Sequence, residues 1–423
     1  MNKYSKVILL ALIVSMSCGF LWAGNSIFSR YGFPIQNEGY DVYGMGMGNT
    51  GAGDFLRLNY GVGVNPALCA NSNSVLISTG LKMGYTNYED KSGNYNKDDS
   101  FDFPYFSIQV PIRRHHIAFQ FTSFMSGNLS SQSFPPTIDG VPYELETYET
   151  YETVYSYIYR ADLMYAYRFK YLNVGIGANY YLGNRKMKFT QDYIGLGPDI
   201  DSNDVANGYD TFYEVSNTYA NPGFMAGLGL KFKTMSMGLA YHSSVDLKNT
   251  REFKTILSSE VEEDESLILP HTINSGVTFK FNNTFKTNVD FRYEIWEESD
   301  FNDNPENSWR IGAGIAYEPI SGEDKLYKRL PIRAGYSMRN LAYKVNNSNV
   351  IENTLTLGSS IPIKAISSRV DFAYQYSRRG DATENGVEET AHMFMIGISG
   401  FDIFQKTLKR DKPRDIPEAE DLY

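Results

Sequence analysis

Strict alternation of side-chain chemistry within strand-length segments is the feature that most constrains this chain. In the segment 287–296 (TNVDFRYEIW), large apolar residues alternate with polar or charged ones: Val289, Phe291, Tyr293 and Ile295 against Asn288, Asp290, Arg292 and Glu294. A β-strand directs successive side chains to opposite faces, so all the charges lie on one face. One strand does not decide which face meets water, because a soluble β-sandwich turns its apolar face inward.

The amino terminus has the features of a secretory signal peptide. Two lysines precede an apolar run from Val7 to Val14, and small residues follow near Ala23. We therefore expect residues 1–23 to be removed on export. No later stretch approaches the ~20 consecutive apolar residues that a membrane-spanning helix needs.

Composition favours strands and argues against several functions. The 423 residues include 33 Tyr and 26 Phe, and the mean hydropathy is −0.36, which fits strands with one polar face. The formal net charge of −10 opposes a basic nucleic-acid surface, so no nucleic-acid partner is expected. Removal of the leader with Cys18 leaves Cys69 as the only thiol, which excludes an intramolecular disulfide.

Strand-like segments recur along the rest of the chain, and we count fourteen. They lie near 75–89, 101–111, 115–125, 154–169, 171–182, 212–232, 234–247, 270–281, 284–296, 308–318, 331–344, 350–362, 366–378 and 390–404. Connections after even-numbered segments are tight, apart from 319–330, and those after odd-numbered segments are mostly long and polar: 126–153, 183–211 and 248–269. This pattern is typical of outer-membrane barrels, in which short periplasmic turns alternate with long extracellular loops.

We therefore predict an all-β fold, a closed transmembrane antiparallel β-barrel of about 14 strands in the bacterial outer membrane. In hydrocarbon an exported strand-rich chain satisfies its backbone groups only as a closed barrel. The apolar sets then face lipid and lipopolysaccharide, and the polar sets face the lumen: Asn288, Asp290, Arg292, Glu294 and, in a later segment, Arg369 and Asp371. The alternative, a secreted multi-domain β-sandwich, does not predict the alternating connections.

Several segments, in order and spacing, resemble the long-chain fatty-acid transporter (FadL) family of outer-membrane proteins. They are MSMGLAYHSSVDLK (235–248), Leu269-Pro270, FKTNVDFRYEIWEESDF (285–301), SWRIGAGIAYEP (308–319) and PIRAGYSM (331–338). Nearer the amino terminus, GMGNTGAGD (46–54) and VNPALCA (64–70) resemble the family's segment of small residues ending in Asn-Pro-Ala. The resemblance implies a fourteen-stranded barrel, a plug inside it and a hydrophobic cargo.

The resemblance and the composition together divide the chain. We expect an N-terminal plug (hatch) at 24–74, with Asn65, Pro66 and Ala67 leading into the first strand, a barrel at 75–404 and a charged C-terminal tail at 405–423. The plug is Gly-rich, as close backbone turns require, and the alternative is a disordered periplasmic tail. The barrel-assembly machinery is an expected partner, and Phe404, Tyr423 or an internal segment would supply the assembly signal.

A candidate gap in the barrel wall lies at Asn221-Pro222-Gly223, near the middle of the sixth segment. Proline cannot donate to the strand ladder, and glycine beside it weakens pairing. In the family that the chain resembles, a kinked strand opens the wall sideways, and the hydrophobic cargo leaves into the membrane there. A simple bulge is the alternative interpretation.

The expected function is outer-membrane uptake of hydrophobic small molecules such as long-chain fatty acids, with lateral release. Two alternatives remain: a barrel of the same family that serves as a shuttle or partner in protein secretion, and a general diffusion pore. Uptake requires an apolar cavity between plug and wall, whereas a secretion partner would have a filled lumen and conspicuous extracellular loops. A diffusion pore would need an open lumen lined with charges.

No enzyme is expected. The five histidines have no spacing typical of a zinc site, so we assign no catalytic residue, metal or cofactor. Two acidic runs, 262–265 and 297–300, could hold divalent cations that bridge to lipopolysaccharide, although solvated loop tips explain them as well.

Overall fold

The computed structural model describes most of the chain. The described residues are 26–30, 36–59, 61–133, 137–138, 141–142, 148–193, 211–255, 259–296, 305–319, 330–363 and 368–400. The predictions for the signal peptide (1–23), the acidic run 297–300, most of the connection 319–330 and the tail 405–423 fall outside these ranges.

Within the described residues, fourteen antiparallel strands form one closed sheet, and three of them are interrupted. They are β1 (Leu76–Asp90), β2 (Tyr95–Asp102 and Tyr105–Ile112), β3 (His115–Ser133), β4 (Tyr148–Arg168), β5 (Leu172–Tyr193), β6 (Thr211–Lys231), β7 (Met235–His242 and Val245–Thr255), β8 (Ser259–Leu269 and His271–Lys280), β9 (Phe285–Ile295), β10 (Ser308–Tyr317), β11 (Ile332–Val345), β12 (Ser348–Ile363), β13 (Ser368–Asp381) and β14 (Val387–Ser399). Strand β14 pairs with β1, from Ser399 opposite Ser78 to Val387 opposite Asp90. The prediction of a closed all-β barrel of about 14 strands is confirmed.

The two faces of this sheet have opposite chemistry. Val289 and Phe291 are 46% and 42% exposed on the outer face, whereas Asn288 and Asp290 are fully buried on the inner face. The same division holds around the barrel, with exposed Ile, Leu and Phe outside and buried Arg, Asp and Glu inside. A soluble core has the reverse arrangement, so this outer surface is suited to lipid.

The barrel has two distinct ends. Tight connections such as 113–114 and 169–171 lie at one end, which we call the turn end, and the connections after odd-numbered strands lie at the other, the loop end. Strands β3 to β6 have 19 to 22 residues, whereas β9 has 11 and β10 has 10. At about 3.3 Å per residue, β3 to β8 therefore project well past the apolar band at the loop end.

The projecting strands correct the prediction of long loops at 126–153, 183–211 and 248–269. Strand β3 continues to Ser133, β5 to Tyr193 and β7 to Thr255, so much of each predicted loop is paired strand. Outside lipid a strand needs no continuous apolar face, and the alternation that identified the other strands is therefore weak there. The run 262–265, predicted in a loop, lies in β8. Between Ser133 and Tyr148, the two-residue strands Thr137–Ile138 and Val141–Pro142 pair with each other.

The described residues between 26 and 75, which we call the N-terminal segment, lie against the inner face of the barrel. The segment contains 3-10 turns at Ile27–Arg30 and Pro66–Asn71 and one helical turn at Val42–Met45. Phe28 packs against Leu341 and Tyr343 at the loop end, whereas Asn65 bonds to the Leu228 carbonyl near the turn end. The segment therefore extends along the length of the lumen.

The segment approaches the wall closely at Gly53. A Cβ added to Gly276 of β8 would clash with the Gly53 backbone and with Asp290, so only glycine allows this contact. In the described part of the chain, no helix is long and apolar enough to cross a membrane.

Candidate functional site

A buried ion pair joins the N-terminal segment to β10. Arg310 donates from Nε and Nη2 to the two carboxylate oxygens of Glu38, at 2.9 and 2.7 Å. Its Nη1 also donates to the Asn49 carbonyl at 2.6 Å, and both charged side chains are buried. A bidentate pair of this kind fixes position as well as charge.

The alternating residues of β9 also bond to the N-terminal segment. Asp290 Oδ2 accepts from the hydroxyl of Tyr40 at 3.0 Å and from the backbone N–H groups of Gly51 and Ala52, both at 2.8 Å. Arg292 Nη2 donates to Gln36 Oε1 at 3.1 Å. Four consecutive inward positions of β9 are thus buried and polar, with Asn288 and Glu294 completing the row.

Glu294 extends this network beyond β9. It accepts from Arg292 Nε at 2.6 Å and from the indole N–H of Trp296 at 2.9 Å. The guanidinium of Arg339 on β11 lies 3.6 Å from Glu294 Oε2, the oxygen that also accepts from Trp296.

A second charged cluster lies toward the turn end. Asp54 accepts from Arg57 Nε at 3.0 Å and from Lys286 Nζ at 3.1 Å, and Arg57 also pairs with Asp41 at 2.8 Å. Burial alone would raise the pKa of Asp54, but Lys286 and Arg57 lower it below its ordinary value. The carboxylate is therefore charged at neutral pH and helps to hold the segment in place.

The predicted residues Arg369 and Asp371 lie beside this cluster on β13. Arg369 Nε donates to Asp371 Oδ2 at 2.8 Å, and its Nη2 lies 3.9 Å from Asp41 of the N-terminal segment. Asp371 also accepts a hydrogen bond from the Ser360 hydroxyl.

Asn65, Pro66 and Ala67 form the start of the 3-10 turn that precedes β1. Asn65 Oδ1 accepts from the Ala67 N–H at 3.0 Å, and its Nδ2 donates to the Ala52 carbonyl at 3.0 Å. All three residues are buried. The motif therefore connects the N-terminal segment to itself and, through the bond of Asn65 to the Leu228 carbonyl, to strand β6 of the barrel wall.

One interruption of the wall, which we call the first wall break, lies between β2 and β3. Strand β2 stops at Asp102 and resumes at Tyr105, and only its second part pairs with β3. Its first part has a strand ladder with β1 alone, and β3 beyond Ser123 has a ladder with β4 alone, within the described residues.

The N-terminal segment occupies the base of this break. Asn37 N–H donates to the Phe124 carbonyl of β3 at 2.7 Å, and Asn37 Nδ2 donates to the Pro104 carbonyl of β2 at 2.8 Å. Gln36 forms an antiparallel bridge with Met125. Two residues of the segment thus take the place of a missing piece of strand.

A different interruption, the second wall break, lies at the predicted residues Asn221, Pro222 and Gly223. Strand β6 pairs continuously with β5 here, but its ladder with β7 stops at Met225 opposite His242 and resumes at Tyr219 opposite Asn249. Pro222 is exposed on the outer face. Ser243 N–H donates to the Phe224 carbonyl at 2.9 Å, and a Cβ on Gly223 would lie 2.6 Å from the Val245 side chain.

A cavity of about 140 Å³ lies between the N-terminal segment and the wall behind the first wall break. Most of the residues that line the cavity have polar or charged side chains, among them Gln36, Lys82, Asp102, Arg339 and Glu352. Three methionines and a few other residues supply its apolar surface. Ligand pockets usually enclose about 300–1,000 Å³, so this cavity is smaller than a typical site for a drug-sized ligand.

Sequence reasoning missed Glu38, Arg310 and the first wall break. Arg310 lies between Trp309 and Ile311, so the alternation used for β9 would have identified it. Pro104 was a signal for a broken strand, since proline is confined to edges and bulges. For Gln36, Asn37 and Glu38 the sequence offered no pattern, because their partners are more than sixty positions away.

Comparison with known proteins decides the family. The family model described as BamG matches residues 1–408. The chain belongs to the BamG family. No curated protein matches it in sequence.

Solved structures similar to this BamG-family protein share its fold at low identity. A FadL homologue from Pseudomonas aeruginosa aligns with a TM-score of 0.61 and 12% identity over 88% of this chain and all of the other. The toluene transporter TbuX of Ralstonia pickettii gives 0.57 and 14% over 86% and 98%. TodX, the Pseudomonas putida toluene transporter, gives 0.58 and 14% over 87% and 98%. The resemblance to the FadL family is confirmed at the level of the fold.

The fold and outer surface of this BamG-family protein are those of a bacterial outer-membrane barrel. Its histidines show no sign of a metal centre: among the residues that the structure describes, no group of three His, Cys, Asp or Glu side chains could hold an ion. His115 and His271 instead bond to Tyr165 and Tyr241, at 2.7 and 2.6 Å.

Proposed function

We propose that this protein is a non-conducting barrel that acts as a partner subunit in outer-membrane protein assembly or secretion. The observation that carries the proposal is the ion-paired attachment of the N-terminal segment inside the barrel. Four residues of the wall each bind that segment: Arg310, Asp290, Arg292 and Lys286. Breaking one buried pair costs about 3–5 kcal/mol, so displacing several pairs for every transported molecule is unfavourable.

Two further observations support a partner role. The cavity of about 140 Å³ is smaller than a typical ligand pocket and has a mixed polar and apolar lining, which is poorly suited to a long acyl chain. Strands β3 to β6, with 19 to 22 residues each, supply a wall beyond the membrane that a second protein could contact. Membership of the BamG family adds a hint that the partner is the barrel-assembly machinery.

Depletion of the protein in its host tests this proposal. We expect the amount of folded outer-membrane barrels, measured by heat-modifiable migration on gels, to fall when the protein is depleted and to recover with the wild-type gene. The purified protein should show no conductance steps in planar bilayers. Normal levels of folded barrels after complete depletion would contradict the proposal.

A second candidate function is uptake of a hydrophobic small molecule, and the first wall break favours it. The break adjoins the cavity, and the similar structures include the toluene transporters TbuX and TodX. Under this hypothesis the segment around Gln36 and Asn37 moves aside, and cargo such as a long-chain fatty acid leaves laterally.

The two candidates predict different phenotypes. Loss of a transporter should lower uptake of radiolabelled toluene or oleate while folded barrels stay at normal levels. Loss of an assembly partner should reduce many barrels at once, and uptake of each hydrophobe should fall only in proportion to its own transporter.

A further inference from the structure

The cavity behind the first wall break contains a buried arginine that makes no hydrogen bond within the described part of the chain. Arg339 of β11 lines this cavity and is only 7% exposed. Its nearest carboxylate oxygen, Glu294 Oε2, lies 3.6 Å away, which is beyond hydrogen-bond range. A buried guanidinium without hydrogen bonds is costly, so this side chain is suited to a ligand that enters the cavity.

Two further donors line the same cavity. Lys82 of β1 is half-buried and forms neither a hydrogen bond nor a close ion pair with any described residue, although Asp102 is its cross-strand neighbour. Gln36 of the N-terminal segment accepts from Arg292 through Oε1, and its amide nitrogen donates to no described residue. The three donors belong to β1, to β11 and to the N-terminal segment, so they approach the cavity from three separate elements.

The acidic side chains that line the cavity already have partners. Both carboxylate oxygens of Glu38 accept from Arg310. Glu352, the cross-strand neighbour of Arg339, accepts from Arg379 at 2.9 Å and from Thr354 at 3.2 Å. Asp102 accepts from the Ser126 hydroxyl at 3.5 Å. The side chains that remain available to a ligand are therefore donors, and two of the three are cations.

We propose that this cavity binds one phosphate group through Arg339, Lys82 and Gln36. Cationic donors favour an anionic acceptor over a neutral one. A carboxylate offers two oxygens, whereas a phosphate group offers three, one for each donor. The cavity of about 140 Å³ is smaller than a pocket for a drug-sized ligand but several times larger than the space of one water molecule, which leaves room for a phosphate group.

A bound phosphate group would connect the N-terminal segment to the wall beside the first wall break. Gln36 precedes Asn37, whose bonds to Phe124 and Pro104 close the base of that break. Binding should therefore hold the break closed. Two sources share this chemistry: free phosphate, and the headgroup of a phospholipid that reaches the cavity through the break.

Titration of the purified full-length protein in a neutral detergent tests the site. The probes are inorganic phosphate and dihexanoyl phosphatidic acid, a short-chain lipid with a phosphate headgroup, and sodium chloride at matched ionic strength is the control. We expect one phosphate group to bind per protein by isothermal titration calorimetry and to raise the transition temperature for heat-modifiable migration. Tighter binding of inorganic phosphate would identify a soluble ligand, and tighter binding of the lipid would identify a headgroup. Binding of neither probe would overturn the proposal.

Two variants in the cavity and one outside it locate the binding site. Arg339→Gln should lower phosphate affinity at least about tenfold, because charge-assisted hydrogen bonds are lost. Lys82→Gln should fold normally, since Lys82 has no described partner to lose, and should lower affinity by a similar factor. Arg378→Gln is the matched control: this exposed arginine pairs with Glu388 outside the cavity, so affinity should not change. Unchanged affinity in Lys82→Gln, or in folded Arg339→Gln, would contradict the proposal.

The phosphate site does not depend on the proposed function, because it concerns a ligand of the barrel and not its partner. If phosphate binding fails while depletion still lowers folded barrels, only the ligand site is wrong. If folded barrels are unaffected by depletion, the proposed function is wrong whatever binds in the cavity.

Discussion

The two wall breaks both contain a proline, yet they are closed in different ways. At the second wall break, neighbours in the wall close the interruption: Ser243 bonds to Phe224, and Val245 lies against Gly223. At the first wall break, Asn37 of the N-terminal segment spans from Pro104 to Phe124. A proline in a strand therefore predicts a lost hydrogen bond, but the neighbouring elements decide whether the interruption can open.

Removing the N-terminal segment should separate the two breaks most strongly. Deletion of residues 25–74 should convert a silent barrel into a conducting one, with a rise of roughly tenfold or more over background, because barrels of comparable strand number enclose water when nothing fills them. In the same deletion variant, maleimide labelling of Ser126→Cys, beside the first wall break, should increase. Labelling of Ser243→Cys, at the second wall break, should not. If conductance stays unchanged, the segment does not plug the lumen.

Removal of one buried charge should loosen the first wall break without affecting the second. Arg310→Ala leaves Glu38 buried without its bidentate partner and should destabilise the protein by about 3–5 kcal/mol, measured by urea unfolding in detergent.

Arg378→Ala is the matched control for that variant, because its pair with Glu388 is exposed and should contribute about 0–1 kcal/mol. Equal losses of stability in the two variants would mean that the buried network does not hold the N-terminal segment.

A bulkier residue at the second wall break should be harmful for steric reasons. Gly223→Thr places a Cβ 2.6 Å from the Val245 side chain and should destabilise the barrel by about 1–3 kcal/mol. Pro222→Val, at the exposed neighbouring position, should change the transition temperature much less. An increase in stability for Gly223→Thr would show that this break is loosely packed. It would then support the interpretation of this break as a lateral exit.

The smallest expected effect concerns the hydrogen bond across the first wall break. Asn37→Ala removes the 2.8 Å bond to the Pro104 carbonyl and should cost about 1 kcal/mol in unfolding free energy. Asn94→Ala, which removes a bond to Asp90 in an exposed turn, should be nearly neutral. The informative measurement is labelling of Ser126→Cys, which should increase with Asn37→Ala and stay constant with Asn94→Ala.

Much of the fold was predictable because each strand in the membrane must alternate apolar side chains toward lipid with polar side chains toward the lumen. The alternation in β9 and β13 identified strands whose inner and outer faces differ in chemistry, and all fourteen predicted segments overlap observed strands. The rule weakens where strands leave the membrane. For that reason β3, β5 and β7 are longer than the sequence indicated, and predicted loops are partly strand.

The sequence by itself determined the barrel: local period-two chemistry, read one strand at a time, indicates which face meets lipid and how many strands the sheet contains. Only the tertiary structure decided what fills the lumen. The partners of Glu38 and Asp290 lie hundreds of positions away, and the contact of Asn37 with both β2 and β3 depends on where the closed sheet places them. Short-range periodicity carries no information about such pairings, because a buried charge acquires its partner only when the whole chain has closed around it.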